Sequence, residues 1–477
     1  MTRTSVDLEA LRARLDGALM VPGDSGYDDA RAVANGAIDR RPAAIARCAG
    51  PADVAEVLAF ARASGIDVTV RGGAHNPAGT AVADGALMID LREMNTVHVD
   101  PRARRARVGG GALLADADRA TQEYGLAIPA GLISHTGVGG LTLGGGMGWL
   151  TGRSGLTIDH LVAARVVLAD GRIVRAAADE HADLWWALRG GGGNFGVVTE
   201  FEFTLDPAGP VVEFAILFCE LDQLRELLRA ARDIVPDLPR DVSVIFGALN
   251  APPEPFVPEP VRLRPGCAVI VAGFGDAEQH ARVLDLFRAR LTPVFEMVTP
   301  MPYVALQQMM DEANAFGISS YEKGTRIAEF TDEVIEACAA HIPRKKSPMS
   351  LALVYRLDGA YTEVADDATA YGGPRVPHYQ LFIVGGSPDQ TGIDAEREWV
   401  RDFWAALQPH TGLAGGYVNG LTEFDDAKLR SVYGTKLDRL AAIKAAYDPD
   451  NVFHHNANIV PSDRGRALPE SSGQGSS

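Results

Sequence analysis

Cysteine is scarce in this chain: four in 477 residues, Cys48, Cys219, Cys267 and Cys338, with no CxxC pair among them. That usage excludes a disulfide framework, makes a structural zinc site unexpected and fits a reducing compartment. Apolar runs are short, and none reaches the ~18 residues a membrane helix requires. Residues 1–20 alternate charge with Leu8, Leu11, Leu15 and Leu19 at helical spacing, which predicts an amphipathic opening helix and no signal peptide. Positive charge is in deficit, 45 Lys and Arg against 62 Asp and Glu, for a net charge of −17 at pH 7. Such a surface repels phosphate backbones and anionic headgroups, so neither nucleic acid nor a membrane is expected as a partner. Motifs for phosphoryl transfer, zinc proteolysis and serine hydrolysis are missing as well: there is no Gly-Lys-Ser/Thr, no HExxH and no nucleophile elbow. His454-His455 has no neighbours at metal-ligand spacing in sequence, so no metal is expected. A soluble, cytoplasmic enzyme remains.

What is present in excess is glycine, 51 residues. Three clusters fall in the first 200 residues: 71–79 (RGGAHNPAG), 137–148 (GVGGLTLGGGMG) and 190–196 (GGGGNFG). Gly191, Gly193 and Gly196 satisfy G-x-G-x-x-G, but a helical stretch, 183–189, precedes them and a strand-like VVTEFEFTL follows. A Rossmann fingerprint needs the opposite order, strand then helix, so nicotinamide binding is rejected. One long ligand that passes several backbone loops accounts for all three clusters. Flavin adenine dinucleotide (FAD) is such a ligand, because its pyrophosphate needs N–H donors and its ring system needs close backbone approach.

The local patterns set the frame. Residues 51–64 read as a helix opened by Pro51 and stopped by Gly65, and 66–70 as a short strand delivering the first glycine loop. A helix is expected over 112–124, and Asp170-Gly171 is a hairpin turn between strands 161–168 and 172–176. Glycine density falls near Pro207 and Pro210, after which longer strands and helices alternate. These include VSVIFGAL (242–249), CAVIVAGFG (267–275), LALVYRL (351–357) and HYQLFIVGG (378–386), with a loop carrying six prolines over 251–265. The boundaries predicted are 1–210 and 411–463 for one unit, 211–410 for another, and a disordered tail at 464–477.

RGGAHNPAG, GLISHTGVGGLTLGGGMGWL, LWWALRGGGGNFGVVTEFEF and YDPDNVFHHNANI together resemble the berberine-bridge-enzyme-like branch of the vanillyl-alcohol oxidase / p-cresol methylhydroxylase (PCMH) flavoproteins. The resemblance runs from about residue 40 to 460. It implies an α+β fold: an FAD-binding domain of two α+β subdomains, with an inserted substrate domain of antiparallel sheet backed by helices. It also implies an FAD-dependent oxidase that takes hydride from a C–H of an alcohol, hydroxylated ring or amine and returns electrons to O2 as H2O2. An oxygenating flavoenzyme and a non-catalytic FAD-binding protein are the alternatives; the partners expected are a small-molecule substrate and O2, the assembly a monomer or small homo-oligomer.

By the same resemblance His75 is the histidine bonded to the flavin, within a loop of Arg71, Gly72, Gly73, Ala74, Asn76 and Gly79. Ile133 stands where many relatives carry a second linking cysteine, so His75 is the sole covalent attachment expected. Ser134, Thr136, Gly137 and Gly140 fall on the loop beside the isoalloxazine, with Thr136 at the place that governs oxygen access. Leu141, Gly144, Gly145 and Gly146 are expected under the cofactor, Val198 at the adenine end, and Asn456 and Asn458 on the closing segment. Tyr417 is the candidate catalytic base, with Tyr355 and Tyr379 next in line; His135 is read as an ordinary loop histidine.

Overall fold

The computed structural model describes residues 7–462, so the expected tail at 464–477 lies outside the described residues. Helix and antiparallel sheet are mixed in an α+β arrangement of three main sheets. A four-stranded sheet runs Ala18–Met20, Ala44–Arg47, Leu87–Asp90, Val68–Arg71 in spatial order, and its last three strands are parallel. A five-stranded antiparallel sheet follows in the order Val97–Asp100, Arg105–Gly109, Val197–Thr204, Leu161–Val167, Ile173–Ala177. The largest sheet has seven antiparallel strands: Phe295–Pro302, Val211–Glu220, Pro265–Gly273, Val242–Asn250, Leu351–Leu357, His378–Ser387 and Ser319–Ile327.

Local chemistry sets several of these elements. Pro51 starts the helix Pro51–Ser64, where its missing N–H costs nothing, and Gly65 ends it in the left-handed region at φ 64°. The Asp170-Gly171 turn joins Leu161–Val167 to Ile173–Ala177 as an antiparallel pair. The opening helix is shorter than its leucine spacing predicts, spanning Leu8–Arg12 only, and Leu19 lies instead on the strand Ala18–Met20. The cause is Asp53: its carboxylate accepts the N–H groups of Asp16 (2.9 Å), Gly17 (3.0 Å) and Ala49 (2.8 Å), which turns the chain out of the helix. Leu11 and Leu19 still share one core. The strand feeding the first glycine loop is Val68–Arg71, starting two residues and ending one residue later than the β-branched run suggested.

The seven-stranded sheet has two apolar faces. One packs Leu217, Val244, Phe246, Val269, Val354 and Leu381 against the helices Leu224–Ile234, Ala277–Arg288, Asp332–His341 and Gln390–Leu407. The other presents Phe214, Ile216, Ile245, Ile270 and Leu353 toward Leu132 and Trp149 of the glycine-rich half. Side chains alternate across a strand, so neighbouring positions serve opposite layers. A buried face turned toward the glycine loops is what places a cavity between the two.

After the last long helices the chain returns to the N-terminal half. Lys444, on the helix Lys436–Tyr447, and Asp448 form a fully buried ion pair at 2.6 Å. Lys444 Nζ also donates to the carbonyls of Asn194 (2.7 Å) and Phe453 (3.0 Å), and Asp448 accepts from the N–H groups of Val452 (2.8 Å) and Phe453 (2.9 Å). The pair thereby pins the closing segment to the third glycine cluster. Lys444→Met removes the cation and strands a buried carboxylate, at an expected cost of about 3–5 kcal/mol. Urea unfolding of the two proteins measures it.

Candidate active site

The cavity between the glycine loops and the seven-stranded sheet has a volume of about 500 Å³. Its walls come from all three glycine clusters, from strands of the large sheet and from residues 417–419 and 455–457. The first two loops touch. A β-carbon on Gly73 would lie 2.2 Å from the Gly137 nitrogen, and one on Gly137 would lie 2.3 Å from the Gly73 nitrogen, so neither position admits a side chain.

Past this contact, Gly72, Gly73, Ala74, His75 and Asn76 line the cavity, and among the described residues their backbone N–H groups have no protein acceptor. Ala74 takes the left-handed conformation, φ 53°, which keeps these donors from closing a regular turn. Consecutive unpartnered N–H groups on a cavity wall are a receptor for an anion such as a pyrophosphate. The fit to FAD rests on this row of donors and on the close-packed glycines beside it. The chemistry of the donor set is complementary to the ligand.

His75 is held in place by a partner that sequence reading had set aside. Its Nε2 lies 3.2 Å from His135 Nδ1, and His135 Nε2 lies 3.4 Å from the Asp311 carbonyl. Phe316 packs edge-on against both rings. Burial, then repulsion from His135, lowers the His75 pKa to about 4, so the ring is neutral near pH 7.

Ile133, Thr136, Gly137, Gly140, Leu141, Val198, Asn456 and Tyr417 all line the cavity. Other expected site residues lie off its wall. Arg71 is buried with its guanidinium on the Ala32 carbonyl, and Gly79 turns against Ile38. Ser134 donates from both N–H (2.8 Å) and Oγ (2.6 Å) to the Asp311 carboxylate, tying its loop to the large-sheet side. Gly144, Gly145 and Gly146 make room for protein: β-carbons there would lie 1.9 Å from Asn419 Oδ1, 2.8 Å from the Tyr371 ring and 2.1 Å from Thr157 Oγ1. Asn458 also stands outside the wall, while Asn456 anchors the closing segment through Nδ2 on the Gly193 carbonyl at 3.1 Å.

Register separates the tyrosines. Leu351, Leu353 and Tyr355 alternate along one strand and face the cavity, as do Phe382, Val384 and Gly386 on the next. Tyr379 has the other parity and packs on Phe246 and Phe330 in the helix-backed core. Tyr417 sits where the two halves meet. Its phenol oxygen accepts from the Gly146 N–H (2.9 Å) and Asn419 Nδ2 (2.8 Å), and burial, followed by Tyr371, pushes its pKa well above the ordinary 10.

Two features escaped sequence reading. Glu322 lies on the wall, and burial raises its pKa to about 7. Asp67 comes within 3.6 Å of His454 Nε2 and 3.3 Å of His455 Nε2, giving that histidine pair the third ligand-type neighbour it lacks in sequence. Both depend on residues far apart in the chain.

Comparison with known proteins agrees with this geometry. Residues 42–177 match the model of an FAD binding domain, and residues 417–460 match that of berberine and berberine-like proteins. The chain is 30% identical to (R)-6-hydroxynicotine oxidase of Paenarthrobacter nicotinovorans over 94% of its own length and 97% of that protein. The chain belongs to the berberine-bridge-enzyme-like FAD-linked oxidoreductases. Among solved structures, 6-hydroxy-D-nicotine oxidase of Arthrobacter nicotinovorans superposes with a TM-score of 0.83 at 28% identity, covering 94% of this chain and 98% of that one. Glucooligosaccharide oxidase of Acremonium strictum gives 0.82 at 25%, covering 95% and 99%. This family member is therefore an FAD-binding enzyme of the PCMH-type fold.

Tyr417→Phe leaves the Gly146 N–H without an acceptor in a buried site and takes from Asn419 Nδ2 one of its two, the Leu141 carbonyl at 3.0 Å remaining. A stability loss of about 1–3 kcal/mol is expected, more than one exposed hydroxyl contributes. Thermal unfolding of the flavin-loaded variant against wild type checks it.

Proposed function

We propose that the protein is an FAD-dependent oxidase that takes hydride from a C–H next to a hydroxyl or amine nitrogen of a small molecule. The observation that carries this reading is the run of free N–H groups at residues 72–76 leading directly into His75 on the cavity wall. Bound flavin supplies the hydride acceptor and passes the electrons to O2, giving H2O2. Residues 7–210 and 411–462 hold the cofactor in this reading, and residues 211–410 hold the substrate. Four buried free cysteines fit a cytoplasmic setting, and among the described residues no helix is long and apolar enough to cross a membrane. A monomer or small homo-oligomer is sufficient, since one chain supplies every wall of the cavity.

His75 is the only covalent link in this proposal. If His135 Nε2 donates to the Asp311 carbonyl, His135 Nδ1 accepts from His75 Nε2, and the lone pair is left on His75 Nδ1. The resulting neutral nucleophile faces the cavity. The A. strictum enzyme's structure is described as carrying a 6-S-cysteinyl, 8α-N1-histidyl FAD, which supports attachment through histidine. Ile133 has no sulfur with which to make the second bond.

Tyr417 is the proposed catalytic residue, contacting the O–H or N–H of the substrate. The Gly146 and Asn419 donors stabilise charge on its oxygen and oppose the effect of burial. Thr136, beside Gly137 on the cavity wall, sets the room left for O2.

Acid-precipitated wild type should stay yellow, and His75→Ala should release its flavin; free flavin from wild type would refute the linkage. Ile133→Cys should yield a second flavin-linked peptide in mass spectrometry. Attachment to apoprotein should hold its rate from pH 6.5 down toward about 4, because His75 stays neutral across that range, where an ordinary histidine takes up a proton. Loss of rate near pH 6.5 would overturn the assignment. Tyr417→Phe should slow anaerobic flavin reduction by about 10²–10⁴-fold, with stopped-flow traces across pH as the readout; a change under threefold makes Tyr417 structural.

A further inference from the structure

Glu322 supplies the single carboxylate among the residues lining the cavity, and no Lys or Arg lines it. It stands on the strand Ser319–Ile327 opposite Val384, which in turn pairs with Leu351, so one row crosses three strands on the cavity face. Its Oε1 lies 4.0 Å from where a β-carbon of Gly420 would sit, which places the carboxylate beside the Tyr417–Gly420 segment. Among the described residues its side chain makes no hydrogen bond and no ion pair, although Lys323 next to it pairs with Glu423. Thr422 bonds only the Glu322 carbonyl, at 3.1 Å.

A carboxyl lining the cavity with Leu351, Leu353 and Phe382 is costly as an unpaired anion, so it either keeps a proton or is met by a positive charge. Among the described residues no cation pairs with it. A cationic ligand entering the cavity would, and the net charge of −17 raises the local concentration of cations around the whole molecule. We infer that Glu322 selects, within the oxidase reading above, a substrate whose nitrogen is protonated: an amine and not a neutral alcohol or sugar.

The chemistry of the pairing is simple. An ammonium N–H donates to a Glu322 oxygen while the apolar body of the substrate lies on Leu353 and Phe382. No bond changes in this step. The other titratable groups lining the cavity are His75, Tyr355, Tyr417 and His455. Burial lowers both histidines and raises both tyrosines, so none of these changes charge just above neutrality. Glu322 does, with its carboxyl near 7, so cation binding should strengthen as pH rises through that value.

The test uses the flavin-loaded full chain and matched probe pairs: benzylamine with benzyl alcohol, then their two- and three-carbon homologues, followed by calorimetry and flavin difference spectra. The amine of at least one pair should bind about 30-fold or more tightly than its alcohol, and Glu322→Gln should remove that preference. Glu322→Asp should restore part of it, and both variants should keep wild-type flavin content, with no loss of melting temperature. Equal binding of amine and alcohol, binding of neither in every pair, or a preference that survives Glu322→Gln would overturn the inference. Glu322-dependent amine binding without flavin reduction by any amine would instead sink the oxidase reading and leave the amine site standing.

Discussion

Everything in the cavity depends on two backbones meeting at Gly73 and Gly137. One loop leaves a parallel sheet, the other opens a short helix, and their contact leaves no volume for a β-carbon on either side. The N–H groups at residues 72–76, on cavity-lining residues, are left out of both sheet and helix. The same contact sets His75 against His135. An ordering of this kind costs conformational entropy, since glycine loses more freedom on folding than any other residue. Packing elsewhere offsets it, chiefly the two apolar faces of the seven-stranded sheet.

The charge distribution follows a related logic. Two buried ion pairs tie distant segments of the fold together, Lys444 with Asp448 at 2.6 Å and Arg375 with Asp159 at 2.8 Å. Among the described residues the carboxylate at the cavity has no such partner. Burial raises the Glu322 carboxyl to about 7 and lowers the His75 ring to about 4, so two titratable groups in one chamber have displaced pKa values. Perturbed groups of this sort gather where chemistry or binding occurs.

Local signals carried much of this into the sequence. Pro51 and Gly65 bracket a helix, Asp170-Gly171 marks a hairpin, and the glycine runs that build the cavity stand out by composition alone. Strand parity even separates Tyr355 from Tyr379 once the pairing of their strands is known. What sequence could not show depends on distant partners. Glu322 sits beside Lys323 in SSYEKGTRI, and only its register with Val384 makes it a cavity residue. Gly144 to Gly146 read as a cofactor cradle because glycine signals close approach without saying to what; the neighbours are Asn419, Tyr371 and Thr157. Asp53 ended the first helix from 37 residues away.

The return of the chain's last stretch to its first half has a consequence for biosynthesis. Tyr417, Asn419, Asn456 and Ala457 are wall residues, yet they are made after every glycine cluster. A ribosome releasing the chain from its N-terminus therefore exposes the His75 loop long before a chamber exists to hold a flavin against it. The complete wall exists only once the last segment has been made and has packed back on the first half. A chain stopped before residue 417 would carry all three glycine clusters and still lack these four wall residues.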